Sequence, residues 1–321
     1  MATVLVTGIG GGVGQGILRN LREVNPEFVL IGTNVNRVSG GNYLCHKVYE
    51  VPYAYDENYI DTLLGICARE SVDLIIPSTD YESHYLSASS HLFECKIAAS
   101  PPEVTSFCLD KYSTWQQLSK NGIPFAPSYL PSEYGNQFTG IVVKPREGRG
   151  SRNIYFNPND IANFDDSYVV QELLKGKEIT TAFYVRQSGE LHGMITFERE
   201  LEAGNTSKAE VVFSYEPELE VTIKKLISAF PFRGSCNLQS MVTTHGIIPF
   251  EINCRISGTN SIRSQFGFRD VAYTVQEHLH NAEPEKPCVV KGACVRIMLD
   301  LIYPGISLQD INNNQDHYFL H

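Results

Sequence analysis

The sequence predicts an α/β domain built on a parallel sheet, followed by an α+β domain of mainly antiparallel strands. Two observations carry this. In roughly the first third of the chain, near-continuous apolar strand runs alternate with amphipathic helix patterns, as in a parallel sheet covered on both faces. From about Ile141 onward, strand patterns instead follow one another through turns.

The elements follow in order. Thr3–Thr7 is an apolar strand, followed by a glycine-rich turn and a helical pattern over Gly14–Val24 with Ile17, Leu18 and Leu21 at helix spacing. Phe28–Gly32 reads as a second strand. Tyr59–Glu70 is amphipathic, with Ile60, Leu63, Leu64 and Cys67 on one face. Val72–Pro77 is a third buried strand and Lys96–Ala99 a fourth. Pro101-Pro102 punctuates the chain, and a helix over Lys111–Asn121 meets Gly122 as its natural C-terminal cap. Strands are expected at Ile141–Lys144, Asn153–Phe156, Tyr168–Leu173, Glu178–Arg186, Leu191–Glu198 and Val211–Phe213. A helix over Glu218–Phe230 comes next, and Asn237–Thr243 with Ile247–Asn253 forms a hairpin. There is no internal repeat and no low-complexity segment.

Composition narrows the partners. Hydrophobic residues make 42% of the 321 residues and charged residues 19%, which places the chain among globular proteins rather than disordered ones. A net charge of −10 disfavours nucleic acid, whose backbone needs a basic surface. No apolar run approaches the roughly 20 residues that span a bilayer, and no secretory leader pattern opens the chain. Reduced, mostly buried cytoplasmic thiols are expected for the cysteines at 45, 67, 95, 108, 236, 254, 288 and 294, which contain no C-x-x-C pair. His278 and His280 are expected at the surface.

The run Val4-Leu5-Val6-Thr7-Gly8-Ile9-Gly10-Gly11-Gly12-Val13-Gly14 lies between strand and helix, where backbone N–H groups hold anions. A dinucleotide site would place an acid at the end of the second strand to hold a ribose. Here that strand runs out through Asn34 and Asn36, with no carboxylate. The glycines then serve either tight strand–helix packing or a site for another small anion.

A second constellation lies in the later half. The midpoint of Gln239 and Glu251 is the hairpin turn near His245, so a symmetric hairpin sets them face to face. Asn253, two residues on, shares that face. One carboxylate with amide oxygens suits a hard cation that also binds phosphate. Lys144 ends an apolar strand and is followed by Pro145-Arg146-Glu147-Gly148-Arg149-Gly150-Ser151, a loop whose N–H groups could close over phosphates. This is not a P-loop signature. Further on, Val169-Val170-Gln171-Glu172-Leu173-Leu174-Lys175-Gly176-Lys177-Glu178 gives a strand, a connector able to pair with a flat heterocycle, and an acid able to hold a ribose. Asp110-Lys111 begins a helix.

Taken in order, Asp110-Lys111, Val142-Val143-Lys144-Pro145 with its glycine loop, Gln171-Glu172…Gly176-Lys177-Glu178, Asn237-Leu238-Gln239 and Glu251-Ile252-Asn253-Cys254-Arg255 resemble the ATP-grasp superfamily. The branch most resembled is that of carbamoyl-phosphate-synthase large-chain-like carboxylate–amine ligases. The likeness spans about residues 1–300, and the glycine-rich start resembles that branch's pre-ATP-grasp domain.

The resemblance implies a division into a pre-ATP-grasp domain, 1–103, and an ATP-grasp domain, 104–321, with a lid subdomain at about 124–186 and a metal and substrate subdomain at about 187–321. It implies ATP and Mg²⁺ as cofactors. Lys111 and Lys144 would contact phosphates under a loop that includes Gly148, Gly150 and Ser151. The Glu172 carbonyl and Leu174 N–H would pair with adenine, and Glu178 would hold the ribose. Gln239, Glu251 and Asn253 would bind magnesium, and Arg255 would steady the γ-phosphate and an acyl phosphate. Gln239 is neutral where the superfamily often carries an acid, which leaves the number of metal ions open.

Candidate substrate contacts are Gly10 and Gly11, Thr79, Asp80 and Glu82 beyond the third strand, Arg199 and Lys208 flanking a polar loop at Gly204-Asn205, and Arg263. Thr79–Glu82 could equally cap the next helix, and Arg263 could be a helix-surface residue. The expected reaction is ATP-dependent formation of an acyl phosphate from a carboxylate, then attack by an amine or ammonia. The alternatives are a nucleotide-binding regulatory module without turnover, and an NAD(P)-dependent oxidoreductase. The expected partners are small molecules, with neither nucleic acid nor membrane. Monomer and homodimer stay open.

Overall fold

A computed structural model describes residues 1–148, 152–311 and 318–321. The chain forms two compact units. One comprises Met1–Ser100, Arg255–Val290 and Cys294–His321, and the other Pro101–Cys254 with Lys291–Ala293. Among the described residues, no helix is long and apolar enough to cross a membrane.

The first unit is a parallel sheet of β1 (Thr3–Val6), β2 (Val29–Asn34), β3 (Lys47–Glu50), β4 (Leu74–Ile76) and β5 (Lys96–Ile97), in the order β3-β2-β1-β4-β5. Period-two alternation explains why the strands read as unbroken apolar runs. Val4, Val6, Leu30, Leu74 and Ile76 pack to one face with Ile17, Leu18 and Leu21 of helix α1 (Gly12–Val24). Leu5, Ile31 and Ile75 pack to the other with Tyr59, Leu63 and Ile66 of α2 (Tyr59–Glu70) and Leu86 of α3 (Asp80–Ala88). The order reverses between β1 and β4, so the loops after these two strands lie side by side, the crevice position of open α/β sheets.

The sequence pattern does not reveal β3, whose short KVYE run is only half-buried at the sheet edge. The strand expected at Lys96–Ala99 covers only Lys96–Ile97.

The second unit opens with α4 (Pro102–Leu109), which starts on the proline pair, and α5 (Lys111–Lys120). Proline at a first helical position costs no hydrogen bond, so Pro101-Pro102 begins a helix here. Asp110 caps α5 by accepting from the Tyr112 and Ser113 N–H groups at 2.9 and 3.3 Å.

A smaller antiparallel sheet follows, of β6 (Ser128–Tyr129), β7 (Ile141–Pro145), β8 (Tyr155–Phe156) and β9 (Tyr168–Glu172), ordered β6-β9-β7-β8. The larger sheet contains β10 (Lys177–Val185), β11 (Leu191–Glu202), β12 (Asn205–Val211), β13 (Gly234–Thr243) and β14 (Gly246–Asn253), running β14-β13-β10-β11-β12. Its core joins Phe183, Leu238 and Ile252 to Leu219, Ile223 and Leu226 of α6 (Glu216–Ala229) and Phe107 of α4.

The polar loop expected around Gly204-Asn205 is instead the tight turn of the β11–β12 hairpin. Ala203 and Gly204 take positive φ values of 47° and 77° there, so the strands extend to the turn on both sides. Arg199 and Lys208 are therefore strand residues, and the strand placed at Val211–Phe213 ends at Val211. None of the eight cysteines is in a disulfide, with Cys45, Cys108, Cys236 and Cys254 buried and Cys288 exposed. His278 is half-buried rather than at the surface, and burial holds its imidazole below the usual histidine range.

Candidate active site

In the second unit, β7 and β9 bring Lys144 and Gln171 to one face. Val142 lies opposite Gln171 and Lys144 opposite Val169, so Gln171 is the diagonal neighbour of Lys144. The Lys144 ammonium donates to Gln171 Oε1 at 2.9 Å and to the Phe250 carbonyl at 3.5 Å, and it lies 5.5 Å from the Phe250 ring centre. Gln171 is the supporting residue that the site assignment from sequence left out, although the strand register was enough to find it.

Lys144 is 6% exposed. Burial pushes its pKa down to about 8, Glu251 opposes that shift and Lys111 adds to it. The ammonium thus sits within electrostatic reach of both a carboxylate and a second lysine.

Lys111 lies against the loop after β7. Its backbone N–H donates to the Arg146 carbonyl at 3.0 Å and its ammonium to the same oxygen at 3.4 Å. Arg146 is held by an ion pair to Asp110. A Cβ on Gly148 would stand 3.9 Å from the Lys111 ammonium, so this glycine lies beside the lysine. Gly150 and Ser151 lie outside the described residues. Glu172 ends β9, its N–H donating to the Pro127 carbonyl at 3.0 Å, and Leu173 donates to the Gly140 carbonyl at 2.9 Å, which positions the connector that carries Leu174.

The hairpin face assembles through a β-bulge between Gln239 and Ser240, not through the symmetric hairpin that its spacing implies. Gln239 and Glu251 are cross-strand partners. Asn253 Nδ2 donates to Glu251 Oε1 at 3.2 Å, and Gln239 Nε2 donates to Asn253 Oδ1 at 3.4 Å. Arg199 joins them from β11. It donates to Glu178 Oε1 at 3.1 and 2.8 Å and to Gln239 Oε1 at 2.6 Å. The polar face is therefore continuous from Glu178 to Glu251. Lys208 stands apart, exposed and paired with Glu200 at 2.8 Å.

In the first unit, the loops after β1 and β4 meet. The Ser78 N–H donates to Thr7 Oγ1 at 3.1 Å. A Cβ on Gly10 would come within 2.8 Å of the Asn34 amide, so Asn34 borders the glycine loop where a dinucleotide fold places its acid. Gly11 is the N-cap of α1, where a Cβ would stand 3.6 Å from the Gly8 carbonyl oxygen, an ordinary contact.

Thr79 and Glu82 form a capping box on α3. The Glu82 N–H donates to Thr79 Oγ1 at 3.2 Å, and the Thr79 N–H and hydroxyl donate to Glu82 Oε2 at 3.1 and 2.8 Å. Glu82 is buried, which pushes its pKa up. This is the cap alternative rather than a substrate contact. Asp80, one position on, accepts from Arg255 Nε and Nη2 at 3.2 and 2.8 Å.

Arg263 departs most from expectation. It is 0% exposed in α7 (Asn260–Arg263), ion-paired to Asp270 and donating to Ser257 and Thr259 hydroxyls at 2.7 and 2.9 Å. It ties the start of α8 (Asp270–His278) to the preceding turn, and neither a helix surface nor a substrate reaches it.

Comparisons with known proteins agree with this architecture. A family model for the ATP-grasp domain matches residues 108–259, and one for the PylC-like N-terminal domain matches residues 4–98. No curated protein gives a significant match. Among solved structures, N5-carboxyaminoimidazole synthetase from Staphylococcus aureus complexed with ADP superposes with a TM-score of 0.73 at 14% identity, covering 89% of this chain and 79% of that one. The biotin carboxylase domain of Hydrogenobacter thermophilus 2-oxoglutarate carboxylase, with MgADP, ADP and bicarbonate, gives 0.71 at 10% identity, covering 99% and 84%. L-amino acid ligase from Bacillus licheniformis gives 0.67 at 12%, covering 87% and 74%. At such identities the likeness establishes the fold. Residues 108–259 thus form an ATP-grasp domain. The N-terminal part of the chain is of the PylC-like type, a parallel-sheet domain preceding the ATP-grasp fold.

Proposed function

We propose that the protein is an ATP- and Mg²⁺-dependent carbon–nitrogen ligase, which activates a carboxylate as an acyl phosphate for attack by an amine or ammonia. The observation that carries this is the buried Lys144, held by Gln171 and Phe250 and electrostatically coupled to Lys111 and Glu251 within one unit. A buried ammonium beside a second lysine is an arrangement suited to polyphosphate. The solved relatives that hold ADP or act as ligases support the same reading.

In this reading, Lys144, Lys111 and Gly148 bind the phosphates, with Gly150 and Ser151 in the same loop. Glu172 and Leu174 receive the adenine and Glu178 the ribose. Glu251 and Asn253 supply hard oxygen donors, which suit a magnesium ion that also takes phosphate oxygens. Such an ion, when bound, neutralises phosphate charge. The protein's own groups do the rest. The lysines balance charge on the transferring phosphoryl group, and the surrounding strands hold nucleotide and carboxylate in line. In the first unit, Arg255 and Asp80 are assigned to the second substrate, an arginine suiting a carboxylate and an aspartate an ammonium. A cytoplasmic location fits this chemistry.

The test is ADP release from ATP and Mg²⁺ over amino acids, hydroxy acids and bicarbonate, with and without ammonium. Carboxylate-dependent ADP formation is expected. AMP formation, or turnover indifferent to every carboxylate, contradicts the proposal.

A further inference from the structure

Two cysteines of the first unit meet at the N-terminal end of β4 and β5. The last turn of α2 closes on the Cys67 carbonyl, which accepts from the N–H of Ser71, a residue in the left-handed conformation, and from the Val72 N–H at 3.1 Å. The chain therefore turns directly from Cys67 into β4. Cys95 stands just before β5, the parallel neighbour of β4, and the Lys96 N–H donates to the Asp73 carbonyl at 3.0 Å. These backbone bonds fix both cysteines beside the start of β4. Their side chains pack into one apolar cluster, which also holds Val72 and Phe93, and the two thiols are hydrogen-bonded to each other.

Both residues are half-buried, so a small reagent reaches them, whereas Cys45, Cys108, Cys236 and Cys254 are buried. The pair is also asymmetric. The hydrogen bond to Cys95, together with burial, pushes the Cys67 thiol up. The same bond pulls Cys95 down, against its own burial and the Asp73 carboxylate. Cys95 is therefore the readier nucleophile, and Cys67 is the thiol that resolves what forms on it.

We infer that Cys67 and Cys95 are a reversible dithiol–disulfide pair, a modification site oxidised by low-molecular-weight disulfides such as oxidised glutathione. The Cys95 thiolate attacks one sulfur of the small disulfide, whose S–S bond breaks and releases one thiolate. Cys67 then gives its proton to solvent and attacks the Cys95 sulfur, which releases the second thiolate. Two protein thiols are oxidised to one disulfide, and one small disulfide is reduced to two thiols. The bridge joins the end of α2 to the start of β5. It closes into one ring β4, the Thr79–Glu82 capping box and α3, the segment that carries Asp80. A cross-link of this kind restrains the unfolded chain, so the oxidised form is the more stable one. The inference stands apart from the ATP reading.

The experiment maps the thiols directly. The protein is equilibrated in glutathione buffers of graded redox ratio and quenched with acid, free thiols are alkylated, and the peptides are read by mass spectrometry. A peptide pair joined through Cys67 and Cys95 should appear at a lower share of oxidised glutathione than the mixed disulfide on the exposed Cys288, because the second step is intramolecular. The linked protein should melt several degrees above the reduced one, and dithiothreitol should reverse the shift. Cys67→Ser should stop with glutathione on Cys95. No Cys67–Cys95 linkage while Cys288 is fully modified overturns the inference, as does a linked form that melts below the reduced one. A Cys67→Ser protein with a wild-type-like melting transition whose Cys95 stays unmodified under conditions that link the wild type also overturns it. If that variant fails to fold, the wild-type map decides alone.

Discussion

Gln239 and Glu251 face each other across the β13–β14 hairpin because a β-bulge shifts the register between Gln239 and Ser240. On the turn side of the bulge Thr243 pairs with Gly246 and Ser240 with Pro249, and beyond it Gln239 pairs with Glu251. Without the extra residue, Gln239 would meet Phe250. One inserted residue reverses which side chains share a face, so this irregularity brings Gln239, Glu251 and Asn253 together.

Glu251→Ala should abolish ADP formation while leaving the fold intact. Glu251 is only partly buried on a strand whose apolar partners lie on the opposite face, so its loss leaves the core packing unchanged. Circular dichroism together with an ADP-release assay checks both halves. Wild-type turnover in this variant would contradict its place in the site.

Lys144 makes nucleotide binding depend on pH. Its pKa in the folded protein is about 8, below the ordinary lysine value of 10.5, because burial disfavours the charged form. Polyphosphate favours the ammonium, so binding near pH 8 should take up a proton, and affinity should fall as pH rises through about 8. For the protein without ligand the sign is opposite. Between about 8 and 10.5 the unfolded chain binds more protons, so this group's contribution to stability rises with pH across that window. Calorimetry in buffers of different ionisation enthalpy should show the proton uptake in the wild type and its loss in Lys144→Met.

Arg263→Ala should act on stability rather than on substrate affinity. It removes the ion-pair partner of the buried Asp270, a change that typically costs about 3–5 kcal/mol. Replacing both partners with apolar residues of similar volume, as in Arg263→Met/Asp270→Leu, should recover much of that loss. Denaturant titrations of the three proteins give the comparison.

Two glycines should respond in opposite directions. A Cβ on Gly14 would stand 2.8 Å from both the Gly8 carbonyl oxygen and Ile9 Cα, so Gly14→Ala should destabilise by about 1–3 kcal/mol through overpacking. Gly65 lies inside α2 with nothing near its absent Cβ, so Gly65→Ala should stabilise by about 0.5–1 kcal/mol. Thermal melts of both variants test the pair.

The parallel sheet and the shared face of Glu251 and Asn253 were legible in the sequence because strand alternation is a local signal, whereas the bulge that sets Gln239 opposite Glu251 was not. Nor was Arg199. Its partners Glu178 and Gln239 lie 21 and 40 residues away, and three strands must align before they meet. Arg263 was misread because a single arginine in a short helix carries no mark of burial, and only Asp270, Ser257 and Thr259 closing around it reveal that role. Thr79 and Glu82 were open to two readings, since the T-x-x-E spacing of a capping box also sits in a ligand-binding crevice, and hydrogen bonding decides for the cap.

The transfer of oxygen from a carboxylate to phosphate tests the central claim most directly. Substrates found active by ADP release are supplied with ¹⁸O in the carboxylate, and the released phosphate is analysed by mass spectrometry. Acyl phosphate formation predicts one ¹⁸O atom in each phosphate released. ATP turnover that yields only unlabelled phosphate would contradict carboxylate activation.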